Sequence, residues 1–259
     1  MAYEYEEFKA DIYKLTKVDL NAYKEQQMKR RILSLISKHN ISGFSEYMNL
    51  LKTDKDMYEE FINFFTINVS EFYRNPDQWE MMDKQVIPEL ISKFGKNLKI
   101  WSAACSTGDE PYSLVMALSR HIPLNMIRIY ATDIDKQVIQ KAKAGLYSPK
   151  SIASVPDDLK KKYFTDVGGA YQISDEIKSR VTFKEHNLIL NDYQKDFNYI
   201  VCRNVLIYFT EEAKEDVFKK FYDSLTPGGV LFIGSTEQIT SYKQIGYTRK
   251  SSFYYEKPL

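Results

Sequence analysis

Residues 98–118 read LKIWSAACSTGDEPYSLVMAL, an apolar run, a small polar turn and a second apolar run. Leu98 to Ala104, interrupted by Lys99, is short enough for a buried parallel strand. Gly108 gives the turn backbone freedom, and Pro111 suits the first turn of a helix, where its missing N–H costs nothing. Leu114, Val115, Ala117 and Leu118 then recur at helical spacing. Strand, tight turn and helix form the opening unit of an open α/β sheet, where a polar ligand meets backbone N–H groups at the mouth of the sheet.

Asp109 and Glu110 set the charge that such a ligand can carry. They would repel a pyrophosphate but not a cation or a ribose, and the dinucleotide fingerprint GxGxxG is missing from the turn. A positively charged nucleoside such as S-adenosylmethionine (SAM) fits. Acids that only complement the dipole of the helix fit equally well.

With 259 residues, 44% of them hydrophobic, the chain can bury at least one sizeable core in one or two domains. A formal net charge of +1 gives no global attraction to polyanions, which argues against nucleic acid. Cys105 and Cys202 are the two cysteines, too few for a disulfide scaffold, and His39, His121 and His186 offer no metal-ligand spacing. Apolar runs stay below the roughly 18 residues of a membrane span and the N-terminus is acidic, so a soluble cytoplasmic protein without a metal is expected.

Residues 1–70 hold a single glycine, Gly43, and apolar residues at helical intervals, such as Phe8, Ile12 and Leu15 or Met28, Ile32, Leu35 and Ile36. They predict an all-helical N-terminal domain, with Asp19 and Ser42 capping its second and third helices. The second helix, about 19–38, carries Lys24, Arg31 and Lys38 seven apart, a basic stripe beside its apolar face. Such a stripe is either a solvated face or a dock for an acidic partner.

Residues 71–96 read as a linker, in which Thr66, Asn68, Ser70, Arg74 and Asn75, just before and within it, tie it down or line a pocket. Its helix runs from about Pro76 to Phe94 and ends at Gly95. Residues 97–259 continue the α/β pattern. A second strand ends in Asp133, 25 positions after Gly108, where nucleoside-binding folds hold ribose hydroxyls, whereas Asp135 suits the cap of the helix Lys136 to Ala144. Short runs between turn residues at 164–183 predict a small antiparallel insertion. A third strand ends near Asn187 and a fourth, Asp196 to Phe209, carries Cys202, Arg203, Asn204 and Tyr208 at its tip. A fifth follows at Val230 to Gly234, and residues 247–256 form a terminal hairpin. The expected fold is α/β, a Rossmann-like SAM-dependent methyltransferase sheet closed by an antiparallel hairpin, with the helical domain in front and the small β-subdomain inserted.

Six ordered motifs, TINVSEFYRNP (66–76), WSAACSTGDEPYSL (101–114), ATDID (131–135), HNL (186–188), CRNVLIYF (202–209) and LTPGGVLFIGSTE (225–237), resemble the CheR-type chemotaxis receptor glutamate O-methyltransferases from end to end. The resemblance implies that Asn68, Ser70, Arg74, Glu110, Asp133, Asn187, Leu188, Arg203 and Asn204 surround SAM. Arg74 would hold the cofactor's carboxylate, Asp133 its ribose, and Tyr208 would lie beside the transferred methyl. The implied partners are the cytoplasmic helices of membrane-bound chemotaxis receptors, docked on Lys24, Arg31 and Lys38, with a receptor C-terminal peptide at the β-subdomain and the enzyme acting as a monomer. A methyltransferase for RNA or a small molecule, and a SAM-sensing module without turnover, are the competing readings.

Overall fold

The computed structural model describes residues 4–66 and 70–259, which divide into two compact units. The first comprises Met1–Ile67 with Val205–Val217, the second Asn68–Asn204 with Phe218–Leu259. No helix among the described residues is long and apolar enough to cross a membrane.

The first unit is helical: α1 (Tyr5–Thr16), α2 (Glu25–Lys38), α3 (Phe44–Thr53) and α4 (Lys55–Thr66). Its core is the periodic apolar set, with Phe8, Ile12, Met28, Ile32, Leu35, Tyr47, Leu51 and Phe61 all buried. The second helix starts later than its pattern suggests. Asp19 instead caps a short 3-10 turn, Leu20–Ala22, by accepting from the Asn21 N–H at 3.0 Å. Ser42 is likewise not the cap of α3: that position is Gly43, and the Ser42 hydroxyl and N–H donate to Glu46. Residues 206–208 join this unit as a 3-10 turn, where Tyr208 O accepts from the Lys24 N–H at 2.9 Å. Phe209 stacks edge-on against Tyr23, which also meets Phe65.

In the second unit, α5 (Pro76–Met81) and α6 (Ile87–Phe94) are joined by a π-helical stretch, Met82–Val86. The widened turn lies just before Pro88, which has no N–H to give to the preceding turn. The main sheet takes β1 (Ile100–Ala103), β2 (Ile129–Asp133), β6 (Val181–Glu185), β7 (Phe197–Cys202), β8 (Leu225–Ile233), β9 (Thr248–Arg249) and β10 (Tyr254–Glu256). Their order is β6-β2-β1-β7-β8-β10-β9. The first five are parallel and the last two antiparallel, as a terminal hairpin requires. The helices α7 (Asp109–Leu118), α8 (Lys136–Ala144), α9 (Asp157–Tyr163), α10 (Asp175–Lys178), α11 (Glu211–Ser224) and α12 (Tyr242–Ile245) intervene, α11 starting in the first unit.

Two local expectations are corrected. The fourth strand ends at Cys202, because Asn204 turns the chain with φ 61° before Leu206–Tyr208. The small antiparallel sheet, order β3-β5-β4, pairs β4 (Phe164–Asp166) and β5 (Tyr171–Ile173) with β3 (Leu146–Tyr147), a strand from outside 164–183. Residues 181–185 belong to the main sheet, where the β-rich run Val181–Glu185 pairs with β2.

Candidate functional site

Strand order reverses between β1 and β7, and the carboxyl ends of the parallel strands there open the crevice in which α/β folds bind ligands. The backbone is strained around that rim. Of the eight non-glycine residues with positive φ among the described residues, Tyr73, Asn75, Ala104, Ser106 and Asn204 all belong to the β1 and β7 tips or to the linker segment. Strain of this kind persists where surrounding contacts over-determine the backbone, and it clusters at functional sites.

The turn after β1 is built for close approach. Gly108 has φ 89°, and a Cβ there would sit 2.8 Å from Ala142 Cβ. Asp133, at the end of β2, is buried and accepts from Ser106 N–H at 2.8 Å and Asp135 N–H at 3.0 Å. Burial pushes its carboxyl up to about 6 despite those donors. The Ile134 N–H is a third backbone donor, so of the roughly four acceptor sites of a carboxylate one is left for a hydroxyl. Asp135 does cap α8, accepting from Gln137 and Val138.

Glu110 accepts from Ser102 Oγ at 2.8 Å and lies 3.5 Å from Arg203 Nη1. Burial raises its pKa, and Arg203 opposes that rise. Arg203 is committed to the protein: Nη2 donates to Arg74 O at 2.7 Å, Gln78 Oε1 at 2.8 Å and Asn75 Oδ1 at 3.2 Å. Its plane lies over Phe232 at 4.8 Å and Trp79 at 5.7 Å. Arg74, Glu110 and Arg203 are thus brought together, with Arg74 itself half-buried. Asn204 is held by its N–H, which donates to Glu237 Oε2 at 2.9 Å, and the same oxygen takes the Gly234 N–H at 2.7 Å.

Asn187 and buried Leu188 follow β6, next to β2, since the His186 N–H donates to Asp133 O at 2.9 Å. The Asn187 side-chain oxygen accepts from Ile189 N–H at 2.9 Å, so it shapes the turn. Ser70 is half-buried and Asn68 lies outside the described residues. Tyr208 belongs to the first unit.

The basic stripe divides. Lys24 and Lys38 are exposed, and Lys38 Nζ bonds Glu60 at 2.5 Å. Arg31 turns inward: its guanidinium lies 4.4 Å from the Phe64 ring centroid and donates to Phe64 O. A long cation beside an apolar face can lay its stem and head along that face, and Arg31 does.

Sequence reasoning passed over Gln78, Trp79 and Glu237. Glu237 was accessible by the strand-tip rule, as it follows β8 by four residues. Gln78 and Trp79 gave no local signal.

The rim suits a cationic nucleoside on its own chemistry: Asp133 is a buried acid and Glu110 a partly buried one, while Arg203 is occupied by protein acceptors. Cys105 and Cys202 are buried, and burial together with the nearby acids pushes both thiols up, so neither is a thiolate nucleophile.

A family model described as "CheR methyltransferase, SAM binding domain" matches residues 68–254, and one described as "CheR methyltransferase, all-alpha domain" matches residues 3–66. A chemotaxis protein methyltransferase of Listeria innocua is 43% identical over 240 residues, covering 93% of this chain and 92% of the relative. Chemotaxis protein methyltransferase 2 of Vibrio cholerae is 33% identical over 262 residues, covering 96% and 91%. Chemotaxis protein methyltransferase 1 of Pseudomonas aeruginosa is 32% identical over 250 residues, covering 92% and 91%. With both units matched and the acid-lined rim inside the SAM-binding match, the chain belongs to the CheR methyltransferase family and is a SAM-dependent methyltransferase.

Proposed function

We propose that this protein transfers the methyl group of SAM to glutamate side-chain carboxylates of chemotaxis receptors, as the resemblance of its motifs implies and in keeping with relatives named chemotaxis protein methyltransferases. The observation that carries the reading is the rim itself, where Asp133 stands as a buried acid, Glu110 as a partly buried one, and the carbonyl of Arg74 is fastened by Arg203. When bound, SAM would supply an electrophilic methyl on a sulfonium centre; a carboxylate oxygen takes it as the carbon–sulfur bond breaks, giving a methyl ester and neutral S-adenosylhomocysteine.

In this reading Asp133 accepts from the ribose hydroxyls and Arg74 holds the carboxylate at the other end of the cofactor. Ser70, Glu110, Asn187, Leu188, Arg203 and Asn204 shape the walls between them, and Asn68 and Tyr208 complete the set as the family resemblance implies. A glutamate, with an ordinary pKa of about 4.3, is already ionised near neutral pH. The protein therefore needs no base, and its task is alignment, which supplies roughly 7–11 kcal/mol in favourable cases.

The receptor's acidic helices would dock on the exposed cations at the two ends of α2, Lys24 just before it and Lys38 at its last position. Arg31 supports that face from inside through Phe64. The small sheet, whose strand β4 pairs on one side only, is the proposed seat of a receptor C-terminal peptide. Radiolabelled methyl from SAM should appear on receptor membranes as a base-labile ester. Label that resists mild base, or that enters RNA instead, would overturn the proposal.

A further inference from the structure

Arg74 stands between two residues in left-handed conformation, Tyr73 at φ 51° and Asn75 at φ 62°. Asparagine tolerates this region, whereas a bulky aromatic residue such as tyrosine occupies it only under constraint. After Arg74 the constraint is plain, since its carbonyl accepts from both Trp79 Nε1 and Arg203 Nη2. Before it, two bonds hold the chain. The Phe72 N–H donates to Ser151 O at 3.0 Å, and the Tyr73 N–H donates to Ser113 Oγ at 3.1 Å. The Tyr73 hydroxyl is buried without a hydrogen-bond partner, so it is the amide and not the ring's polar end that fixes this residue.

Ser113 is out of place by any packing rule. It is fully buried in α7, followed by Leu114, Val115, Met116, Ala117 and Leu118, all buried. Serine is a poorer helix former than alanine, and a buried hydroxyl must be hydrogen-bonded. Its proton goes to Asp109 O at 2.6 Å, leaving its lone pairs for Tyr73. The Asp109 carboxylate accepts in turn from Ser151 Oγ at 2.5 Å and from Thr107 Oγ1 at 2.6 Å. One helix start therefore anchors both the cofactor turn and the backbone ahead of Arg74.

We infer that Ser113 is a positioning residue for methyl transfer: its hydroxyl pins the strained Tyr73 and thereby sets the direction in which the Arg74 side chain leaves the main chain. The inference rests on the reading that Arg74 grips the carboxylate of the cofactor. It predicts that loss of the hydroxyl weakens only ligands that carry that carboxylate.

The test is calorimetric titration of the full chain, as wild type, Ser113→Ala and Arg74→Ala, with two probes. S-adenosylhomocysteine has the carboxylate, and 5′-methylthioadenosine is the same nucleoside thioether without the amino-acid end. Ser113→Ala should lose about tenfold in affinity for S-adenosylhomocysteine, the worth of one well-placed hydrogen bond, and bind methylthioadenosine as wild type does. Arg74→Ala should show the same selectivity with a larger loss. If Ser113→Ala binds both probes normally, or loses both in equal proportion while Arg74→Ala is selective, the inference fails and the Arg74 reading stands. If Arg74→Ala is itself not selective, that reading fails and this inference falls with it.

Discussion

Arg203 donates from Nη2 to the main-chain carbonyl of Arg74 at 2.7 Å, a bond between residues 129 positions apart. The same nitrogen reaches Gln78 and Asn75, Nη1 faces Glu110 at 3.5 Å, and the side chain is 2% exposed. A lysine has neither the fork nor the reach to serve acceptors on three sides. Arg203→Leu should cost about 3–5 kcal/mol, because it leaves the largely enclosed Glu110, whose side chain is 13% exposed, without its cation. Arg203→Lys should cost less yet still loosen the Arg74 turn. Urea denaturation and S-adenosylhomocysteine titration check this together, and an unchanged urea midpoint in Arg203→Leu would contradict the geometry.

Cofactor affinity should fall as the pH is lowered through about 6. The Asp133 carboxyl is raised to about 6 in the folded protein, so below that pH it is increasingly neutral and a poorer partner for ribose hydroxyls and for positive charge. Stability moves the other way. Between the ordinary 3.8 and about 6 the folded state holds the proton more tightly than the unfolded chain, so this group stabilises the ligand-free protein as pH falls through that window. Asp133→Asn should bind weakly at every pH and lack the inflection. Titrations at several pH values from 5 to 8 on both proteins would show it, and a wild-type affinity flat across pH 6 would refute the assignment.

What the sequence could and could not tell follows from the range of each interaction. Asp133 is legible because an apolar strand with an acid at its tip is a local pattern, and the tip rule places that acid at the crevice. Asp135 is legible as a cap for the same reason. Ser113 and Gln78 are not, because their partners lie across loops or in another element and leave no period in the chain: Ser113 meets Tyr73 from 40 positions away and Gln78 meets Arg203 from 125. Periodicity also gives the angle of a residue about its helix but not the course of a long side chain. Lys24, Arg31 and Lys38 share a stripe by count, and only Arg31 folds onto Phe64. The late start of α2 escaped for a related reason, since Asp19 is a good cap whichever helical turn it caps.

Gly108→Ala should be destabilised and should bind cofactor poorly. Its φ of 89° is strained for any side chain, and the added Cβ would meet Ala142 Cβ at 2.8 Å, Tyr112 at 3.1 Å and the Tyr147 hydroxyl at 3.2 Å. None is a flexible end that can swing away: Tyr112 OH is bonded to Ala142 O at 2.8 Å and Tyr147 OH to Thr107 O at 2.7 Å. Overpacking of this sort costs about 1–3 kcal/mol, and backbone strain adds to it. A thermal melt with cofactor titration is the measurement. Wild-type values for both would mean that the turn does not need glycine.

His186 should make the protein acid-sensitive in a window separable from that of Asp133. Its ring is buried edge-on against Trp101 at 5.4 Å and Tyr193 at 5.2 Å, and burial lowers its pKa to about 4, helped by the charges of Lys220 and Lys184. The folded state thus disfavours the proton that the unfolded chain accepts near 6.5, so the stability this group contributes is complete above about 6.5 and is lost as pH falls towards 4. The full shift corresponds to about 3 kcal/mol as an upper bound. Asp133 acts with the opposite sign over part of the same range, so the wild-type profile alone isolates neither. His186→Phe keeps a ring in the cluster and removes the titration; the Nε2 that it deletes is buried without a hydrogen-bond partner. Between pH 7 and 4.5 the urea midpoint of His186→Phe should therefore fall less than that of wild type, and equal losses in the two proteins would show that His186 titrates near its ordinary value.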